Sequence, residues 1–395
     1  MAGHDGASTL APAVVLGDLD LVRPLRRAGI PCAVVARPGK PAAASRQAVQ
    51  LGWADPWRAP GALLDLLLRF AATAPEPPVL YYQLDAYTTF VSRHRDRLSQ
   101  AYRFVLADDD VLADCVDKVR FQQRAEALRL PVPRTAVLRP SAPAPDVGAL
   151  RFPLVLKPSL HKPASEDDAG WKALAHGRKA LEVADRPQLD ALWPALADRG
   201  ADVVAQELVP GPESRIESYH AYVRNDGAVA AEFTGRKIRT LPRVHGETTA
   251  CVVTPIDDVR DVGREVLKAL RLTGVAKADF KRAPDGRLVL LEVNPRFNLW
   301  HHPGAVAGTN LPAMVWSDLT GHEVPQVPPG RGTATWSNHW DARAAREWGV
   351  PPLEWLRWTW RCDTRSLGAV DDPRPLVRAA TRVAGRALRG VRRRG

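Results

Sequence analysis

The segment 275–297, VAKADFKRAPDGRLVLLEVNPRF, constrains this chain more than any other stretch. Asp285-Gly286 is a favoured pair for a two-residue hairpin turn. With that turn Pro284 faces Arg287, Asp279 faces Glu292, and Lys277 faces Asn294 on the same side of the ribbon. A four-residue loop over 283–286 shifts the register by two and keeps the same faces. A three-residue loop breaks the arrangement unless a bulge restores it. Two carboxylates facing each other, their Cβ atoms roughly 5 Å apart, repel, and a divalent cation between them removes the penalty. Asp, Glu and Asn offer only oxygen donors, and magnesium favours one or two carboxylates completed by phosphate oxygens and water. The pattern therefore asks for a magnesium–nucleotide complex. The competing account pairs both acids with Lys277 and Lys281 on a solvated face. Glu292 weighs against it, because it closes Leu288-Val289-Leu290-Leu291. That run reads as buried on both faces, and a carboxylate there needs a specific partner.

The rest of the chain supplies a scaffold for such a ribbon. Its 395 residues suggest two or three domains. Residues 13–17 read as a buried strand, a helix runs to Ala28-Gly29, and residues 30–36 form a second strand. This β-α-β order predicts a parallel sheet. The first turn has no GxGxxG, so no dinucleotide site is read there. Residues 79–82 are a third strand and 92–100 a helix, and the unit ends near Ala113. From Asp114 the pattern is helical until Pro131-Val132-Pro133 stops it. Residues 152–157 make a strand ending in Lys157, 161–178 a polar mobile loop, and 203–208 a strand halted by Val209-Pro210-Gly211-Pro212. Residues 219–254 alternate about a turn at Asn225-Asp226-Gly227, residues 258–272 form an amphipathic helix, and 325–332 are a connector. Cys32, Cys115, Cys251 and Cys362 are scattered without CxxC or metal spacing, as expected of reduced cysteines in the cytoplasm. The first ten residues have neither a basic nor an apolar region of the kind a secretory signal needs.

The pieces ADF…PDG…LLEVNPR (278–296), DKVRF (117–121), FPLVLKPS (152–159) and VVAQELVPG (203–211) together resemble the ATP-grasp superfamily. Within it the chain is similar to the predicted carboxylate–amine ligases and to D-aspartate ligases. The resemblance covers about 115–322. It implies an α/β protein, α+β in its ATP-grasp part, with the nucleotide held between two subdomains. The implied units are a Rossmann-like domain (1–113), a lysine and lid subdomain (114–205), a metal-binding subdomain (206–325) and a C-terminal extension (326–395).

The resemblance also implies roles. Lys157 would contact the α and β phosphates. Lys118 would face the nucleotide, or else be a solvated helix lysine. Gln206, Glu207, Leu208 and Val209 match the hinge that reads adenine through backbone groups, and Glu213, with Glu217 as rival, would take the ribose hydroxyls. Asp279, Glu292 and Asn294 would hold Mg2+, with Mn2+ as a substitute. Arg296, Lys237 and Lys277 would neutralise the transferred phosphoryl group, a task suited to a guanidinium fork and point charges. The basic stretch 233–249 also holds Arg236, Arg239, Arg243 and His245. Of these, Arg239 and Arg243 are candidates for an anionic acceptor, unless the stretch is only a basic surface loop. Residues 300–304, WHHPG, would line the acceptor side, and adjacent histidines there do not have zinc spacing. One departure stands out. The Gly/Ser-rich phosphate lid of the superfamily is replaced by HKPASEDDAGW, leaving Lys162 or Lys172 to serve.

From Pro373 to Gly395 there are eight arginines and no acid, and taking those from a net charge of +11 leaves +3 for the other 372 residues. Leu376, Ala380, Val383, Ala387 and Val391 fall on one helical stripe and the arginines on another. Residues 373–395 thus read as a basic amphipathic helix suited to an anionic membrane surface, or as a solvated helix. Nucleic acid is disfavoured, since no binding module accompanies the charge. The expected activity is ATP-dependent joining of a carboxylate to an amine by a cytoplasmic enzyme, at the inner face of the membrane if the tail binds there. The alternative is a non-catalytic ATP-binding protein acting through that tail. Substrate identity and oligomeric state are left open.

Overall fold

The computed structural model describes residues 10–159, 166–176, 178–367 and 371–381. The N-terminal region is a four-stranded parallel sheet of β1 (Ala13–Leu16), β2 (Cys32–Val35), β3 (Val49–Gly52) and β4 (Val79–Tyr82), in the order β3-β2-β1-β4. β1, β2 and β4 are buried throughout, as uninterrupted apolar runs in a covered parallel sheet must be. Sequence reading finds these three. It misses β3, a short exposed edge strand, and the helix Pro60–Ala71. Residues 92–100 are not one helix but the end of Asp85–Arg93 followed by Arg95–Ser99.

The expected long helix after Asp114 is two helices, Asp109–Val116 and Lys118–Ala127. The break is at Asp117, which leaves helical geometry and accepts from the amides of Val119 and Arg120, the usual role of an N-cap aspartate. Lys118 thereby becomes the first residue of the second helix, and its amide donates to the Ser159 carbonyl at 3.0 Å.

Next comes a four-stranded antiparallel sheet of β5 (Thr135–Leu138), β6 (Leu154–Pro158), β7 (Leu181–Val183) and β8 (Val203–Glu207), in the order β5-β8-β6-β7. Part of the polar stretch 161–178, expected as a loop, is the helix Glu166–Leu174. It is seated by buried Trp171, with the Arg199 guanidinium 5.0 Å from the indole centroid. Lys162 lies outside the described residues.

The largest sheet holds β9 (Ile216–Val223), β10 (Val229–Leu241), β11 (Glu247–Val253), β12 (Gly274–Arg282), β13 (Leu288–Asn294), β14 (Ala334–Ser337) and β15 (Thr364–Arg365), in the order β13-β12-β9-β10-β11-β14-β15. One face packs Tyr219, Ala221, Ala276, Ala278 and Phe280 under the helix Asp257–Ala269. Gly263 of that helix rides on the Tyr219 ring, where an added Cβ would fall 2.4 Å from ring carbons. The other face looks into the cleft and, farther along, joins the N-terminal core. Phe297 packs on Tyr81 and Tyr82, the Tyr81 hydroxyl donates to the Pro312 carbonyl at 2.9 Å, and the Trp316 indole donates to the Ala11 carbonyl at 2.9 Å. Among the described residues no helix is long and apolar enough to cross a membrane.

Candidate active site

The β12–β13 hairpin carries the expected facing pairs. Asp279 lies opposite Glu292 and Lys277 opposite Asn294. The route differs from the two-residue turn. Ala283 and Arg287 close a three-residue loop, with the Ala283 amide donating to the Arg287 carbonyl at 2.9 Å and Gly286 at φ 88°. The register then shifts between Asp279 and Phe280, where Leu291 is the extra residue. That bulge is what lets Leu290 and Val293 both bury against the helix side while Glu292 and Asn294 look the other way. The competing account, pairing on a solvated face, is half right: Asp279 does pair with a lysine, but in the interior.

Asp279 is only 2% exposed. Ser218, its partner across β9, donates to Oδ1, and Lys277 Nζ donates to Oδ2 at 2.8 Å. Lys237 Nζ, from β10, stands 3.6 Å from the same oxygen. Burial pushes the Asp279 carboxyl up, yet Lys277 and Lys237 outweigh it and hold it well below the usual carboxylate range. Burial lowers Lys277 despite Asp279, whereas at Lys237 the carboxylates of Asp279 and Glu292 overcome burial and raise it. Glu292 is exposed to the cleft and receives the Asn294 amide at 3.1 Å.

On the facing sheet Lys157 is the penultimate residue of β6. Its Nζ donates to Gln206 Oε1 at 2.8 Å, and the Gln206 amide donates to Gln122 Oε1 and Thr135 Oγ1, each at 3.1 Å. Gln206 is thus a bracket that aims the lysine. Burial brings the Lys157 ammonium down to about 8; Glu292 opposes the fall and Lys118 adds to it. Burial also lowers Lys118, against Glu292 and Asp85. Glu292 therefore sits where the fields of Lys118, Lys157, Lys237 and Lys277 overlap.

Other candidates are sorted by their partners. Glu207 directs its carboxylate to Arg151, at 3.0 Å, and Arg134, at 3.5 Å, so its side chain is engaged outside the cleft. The Glu207 and Leu208 amides donate to the carbonyls of Arg134 and Pro153. Among the described residues the Val209 amide has no partner. Glu213 is buried, 3.6 Å from Lys281 Nζ, whereas its rival Glu217 is bound by Arg282 at 2.6 Å and 2.9 Å. Arg239 is not available to an acceptor. It forms a buried two-pronged pair with Asp341 and lies under Trp358. Arg243 covers Trp348, and His245 meets Glu182 at 3.0 Å. His301 of the WHHPG stretch is fully buried against Phe297 and Phe233.

Arg296 reaches across to the N-terminal region. Nε donates to Asp85 Oδ1, Nη1 to the Gln83 carbonyl at 3.2 Å and Nη2 to Asn294 Oδ1 at 3.1 Å. Asp85 and Ser218 escape sequence reading. Ser218 becomes visible only once β9 is known to pair with β12. Asp85 had a usable signal: it follows the C-terminal end of a parallel strand, where α/β sheets gather their ligands.

Whether magnesium and ATP suit these residues is answered by the charges. Five buried or partly buried lysines (118, 157, 237, 277 and 281) face Asp279, Glu292 and Glu213. The cation excess is what a polyphosphate would neutralise. Among the described residues no three His, Cys, Asp or Glu side chains gather into a self-sufficient metal cage. Glu292 and Asn294, with Asp279 beside them, supply a partial set of hard oxygens, as magnesium on a phosphate chain requires.

No family model matches the chain. It is 25% identical over 289 residues to D-aspartate ligase of Enterococcus faecium (strain Aus0004), covering 72% of this chain and 67% of that protein. It is 27% identical over 185 residues to D-alanine–D-alanine ligase of Stutzerimonas stutzeri (strain A1501), covering 45% of this chain and 54% of that protein, so it spans about half the length of this second relative. Among solved structures it matches the ADP complex of PurK, N5-carboxyaminoimidazole ribonucleotide synthetase, with a TM-score of 0.58 at 14% identity over 82% of this chain and 81% of that one. This chain has the ATP-grasp fold and is similar over most of its length to a D-aspartate ligase.

Proposed function

We propose that the protein is a magnesium- and ATP-dependent ligase that activates a carboxylate as an acyl phosphate and joins it to an amine. The observation that carries this reading is the excess of buried and partly buried lysine charge converging on Glu292 from both sheets and from the helix Lys118–Ala127. Lys157, held by Gln206, and Lys118 bind the phosphate chain. The Val209 amide meets the adenine edge, and Glu213 takes the ribose. Glu292 and Asn294, with Asp279, hold magnesium, which neutralises phosphate charge when bound; manganese fits the same oxygens.

The carboxylate oxygen attacks the γ-phosphorus as the bond to ADP breaks. Lys237 and Lys277 lie beside the transferred group, and Asp279 keeps both aimed. Arg296, its guanidinium held by Asp85, the Gln83 carbonyl and Asn294, adds positive charge beside the acyl phosphate. The amine then attacks the acyl carbon, phosphate leaves with the C–O electron pair, and the amine gives up a proton. The protein's work is positioning and charge neutralisation, which is most of what phosphoryl transfer asks of it.

The relatives' names, and the ligase reading itself, make amino acids and small dicarboxylates the first substrates to try. ADP release would be measured over a panel of these, with magnesium–ATP and amine acceptors. Substrate-dependent ADP release with a matching amide product is expected. ATP binding with no release for any pair would move the assignment to a non-catalytic nucleotide-binding protein. The Arg-rich residues 373–395 are proposed to favour an anionic membrane surface; those from 382 onward lie outside the described residues.

A further inference from the structure

The C-terminal extension carries a surface unlike the rest of the molecule. Of the eleven large apolar side chains exposed among the described residues, six fall between Trp340 and Val377. Three of them share a stripe of the helix Pro352–Arg361 at i, i+3 and i+7: Leu353, 70% exposed, Leu356, 55%, and Trp360, 82%. The opposite face is anchored. The Trp355 indole donates to Asp341 Oδ2 at 3.0 Å, and Trp358 lies 4.1 Å from the Arg239 guanidinium. The helix is therefore fixed in place with its apolar stripe turned outward.

Charge narrows what could cover it. Arg346, Arg357 and Arg361 make no ion pair among the described residues. Of the acids nearby, Asp341 is paired with Arg239, Glu347 with Arg343 and Asp363 with Arg331, while Asp371 and Asp372 turn toward Gln47 and Ser45 of the N-terminal region, leaving Glu354 beside the stripe. The segment after Pro373 adds eight arginines and no acid. Folding that segment onto the stripe would set arginine against arginine. A two-fold contact with a second copy would set one arginine-flanked stripe against another of the same charge. An anionic, apolar-cored partner satisfies both features, and tryptophan with arginine suits the headgroup boundary of a bilayer.

We propose that the outward face of the helix Pro352–Arg361 is an interfacial membrane anchor, seating Leu353, Leu356 and Trp360 among the headgroups of an anionic bilayer. The arginine-rich segment supplies the long-range attraction, and the stripe supplies the salt-resistant part of the binding. This anchor is independent of the cleft chemistry and would stand if the ligase reading fell.

The test is co-sedimentation of the full chain with phosphatidylcholine vesicles, with and without phosphatidylglycerol. Leu353→Ser/Leu356→Ser/Trp360→Ser would be compared with a chain ending at Thr381. The wild type is expected on the phosphatidylglycerol vesicles. The triple variant should lose at least about tenfold in partitioning, given the apolar area removed, and its remaining binding should vanish in high salt. The shortened chain should bind more weakly yet resist salt. An unaltered circular dichroism spectrum and melting temperature would show that the triple variant is folded. Equal vesicle binding by wild type and triple variant overturns the proposal. So does a wild type that ignores vesicles, or one that self-associates through the stripe while the triple variant is monomeric.

Discussion

Lys237 and Arg239 stand two residues apart on β10, yet they belong to different kinds of site. The strand's register slips between them, so they serve separate neighbourhoods. Arg239 is closed off. Asp341 accepts from Arg239 Nε at 2.9 Å and Nη2 at 2.6 Å, from Thr249 Oγ1 at 2.9 Å and from the Trp355 indole at 3.0 Å. Both oxygens of Asp341 are taken by the fork of Arg239, so this pair offers little to a ligand. Around Lys237 the count is uneven: one buried carboxylate, Asp279, serves Lys237 and Lys277 together, and Lys157 and Lys118 approach from across the cleft. A saturated buried pair is architecture. A buried excess of one sign marks a place for a ligand of the other.

If that contrast is right, substitutions in the two neighbourhoods fail differently. Glu292→Gln should cut substrate-dependent ADP release by on the order of 10²–10³-fold and leave thermal stability nearly unchanged, because the carboxylate is exposed to the cleft. A kinetic assay beside a melting curve reads both. Strong destabilisation with ordinary turnover would erase the distinction.

Asp341→Ala is the converse. It strands the Arg239 guanidinium in a site where that side chain is 7% exposed. The expected cost is about 3 kcal/mol or more, seen in urea unfolding. At a temperature where the variant is folded, turnover should fall only a few-fold. A large loss of turnover without loss of stability would move Arg239 and Asp341 into the active site.

The pH dependence of nucleotide affinity tests the cation excess directly. Lys157 titrates at about 8, below its ordinary 10.5, because burial lowers it more than Glu292 can raise it. Phosphate binds the ammonium form, so ATP affinity should drop roughly tenfold between pH 7 and pH 9. For the free protein the sign is opposite. Between about 8 and 10.5 the unfolded chain binds more protons at this position, so this lysine makes stability rise with pH. Calorimetry on the wild type and Lys157→Met would show the affinity slope disappear in the variant. A slope surviving in Lys157→Met would assign the proton elsewhere.

The same contrast explains what could be read before the fold was known. The facing carboxylates were legible because a hairpin needs only local arithmetic, and the bulge at Leu291 restored the face that a three-residue loop would have lost. The parallel unit was legible from its buried runs. Saturation was not, since it depends on partners distant in sequence. Arg239 waits on a residue 102 positions away and Arg296 on one 211 away, so the sequence alone leaves Arg239 as an acceptor candidate. The helix Glu166–Leu174 was hidden by polar composition, its seat being the buried Trp171.

Glu207 gives the smallest effect and the finest distinction, because its carboxylate is engaged by exposed arginines. Its carboxylate is taken by Arg151 and Arg134, whose side chains are 80% and 58% exposed. Those cations hold its carboxyl below the ordinary value against the effect of burial. An exposed pair of this kind contributes little. If adenine is met by the Val209 amide, Glu207→Gln should change ATP affinity by less than about threefold, whereas Val209→Pro, which removes the amide, should weaken it much more. Titration calorimetry with ATP would compare the two. A tenfold loss in Glu207→Gln would mean that the side chain turns inward to read the base, and that an ion pair at the rim is no guide to which side of the hinge a residue serves.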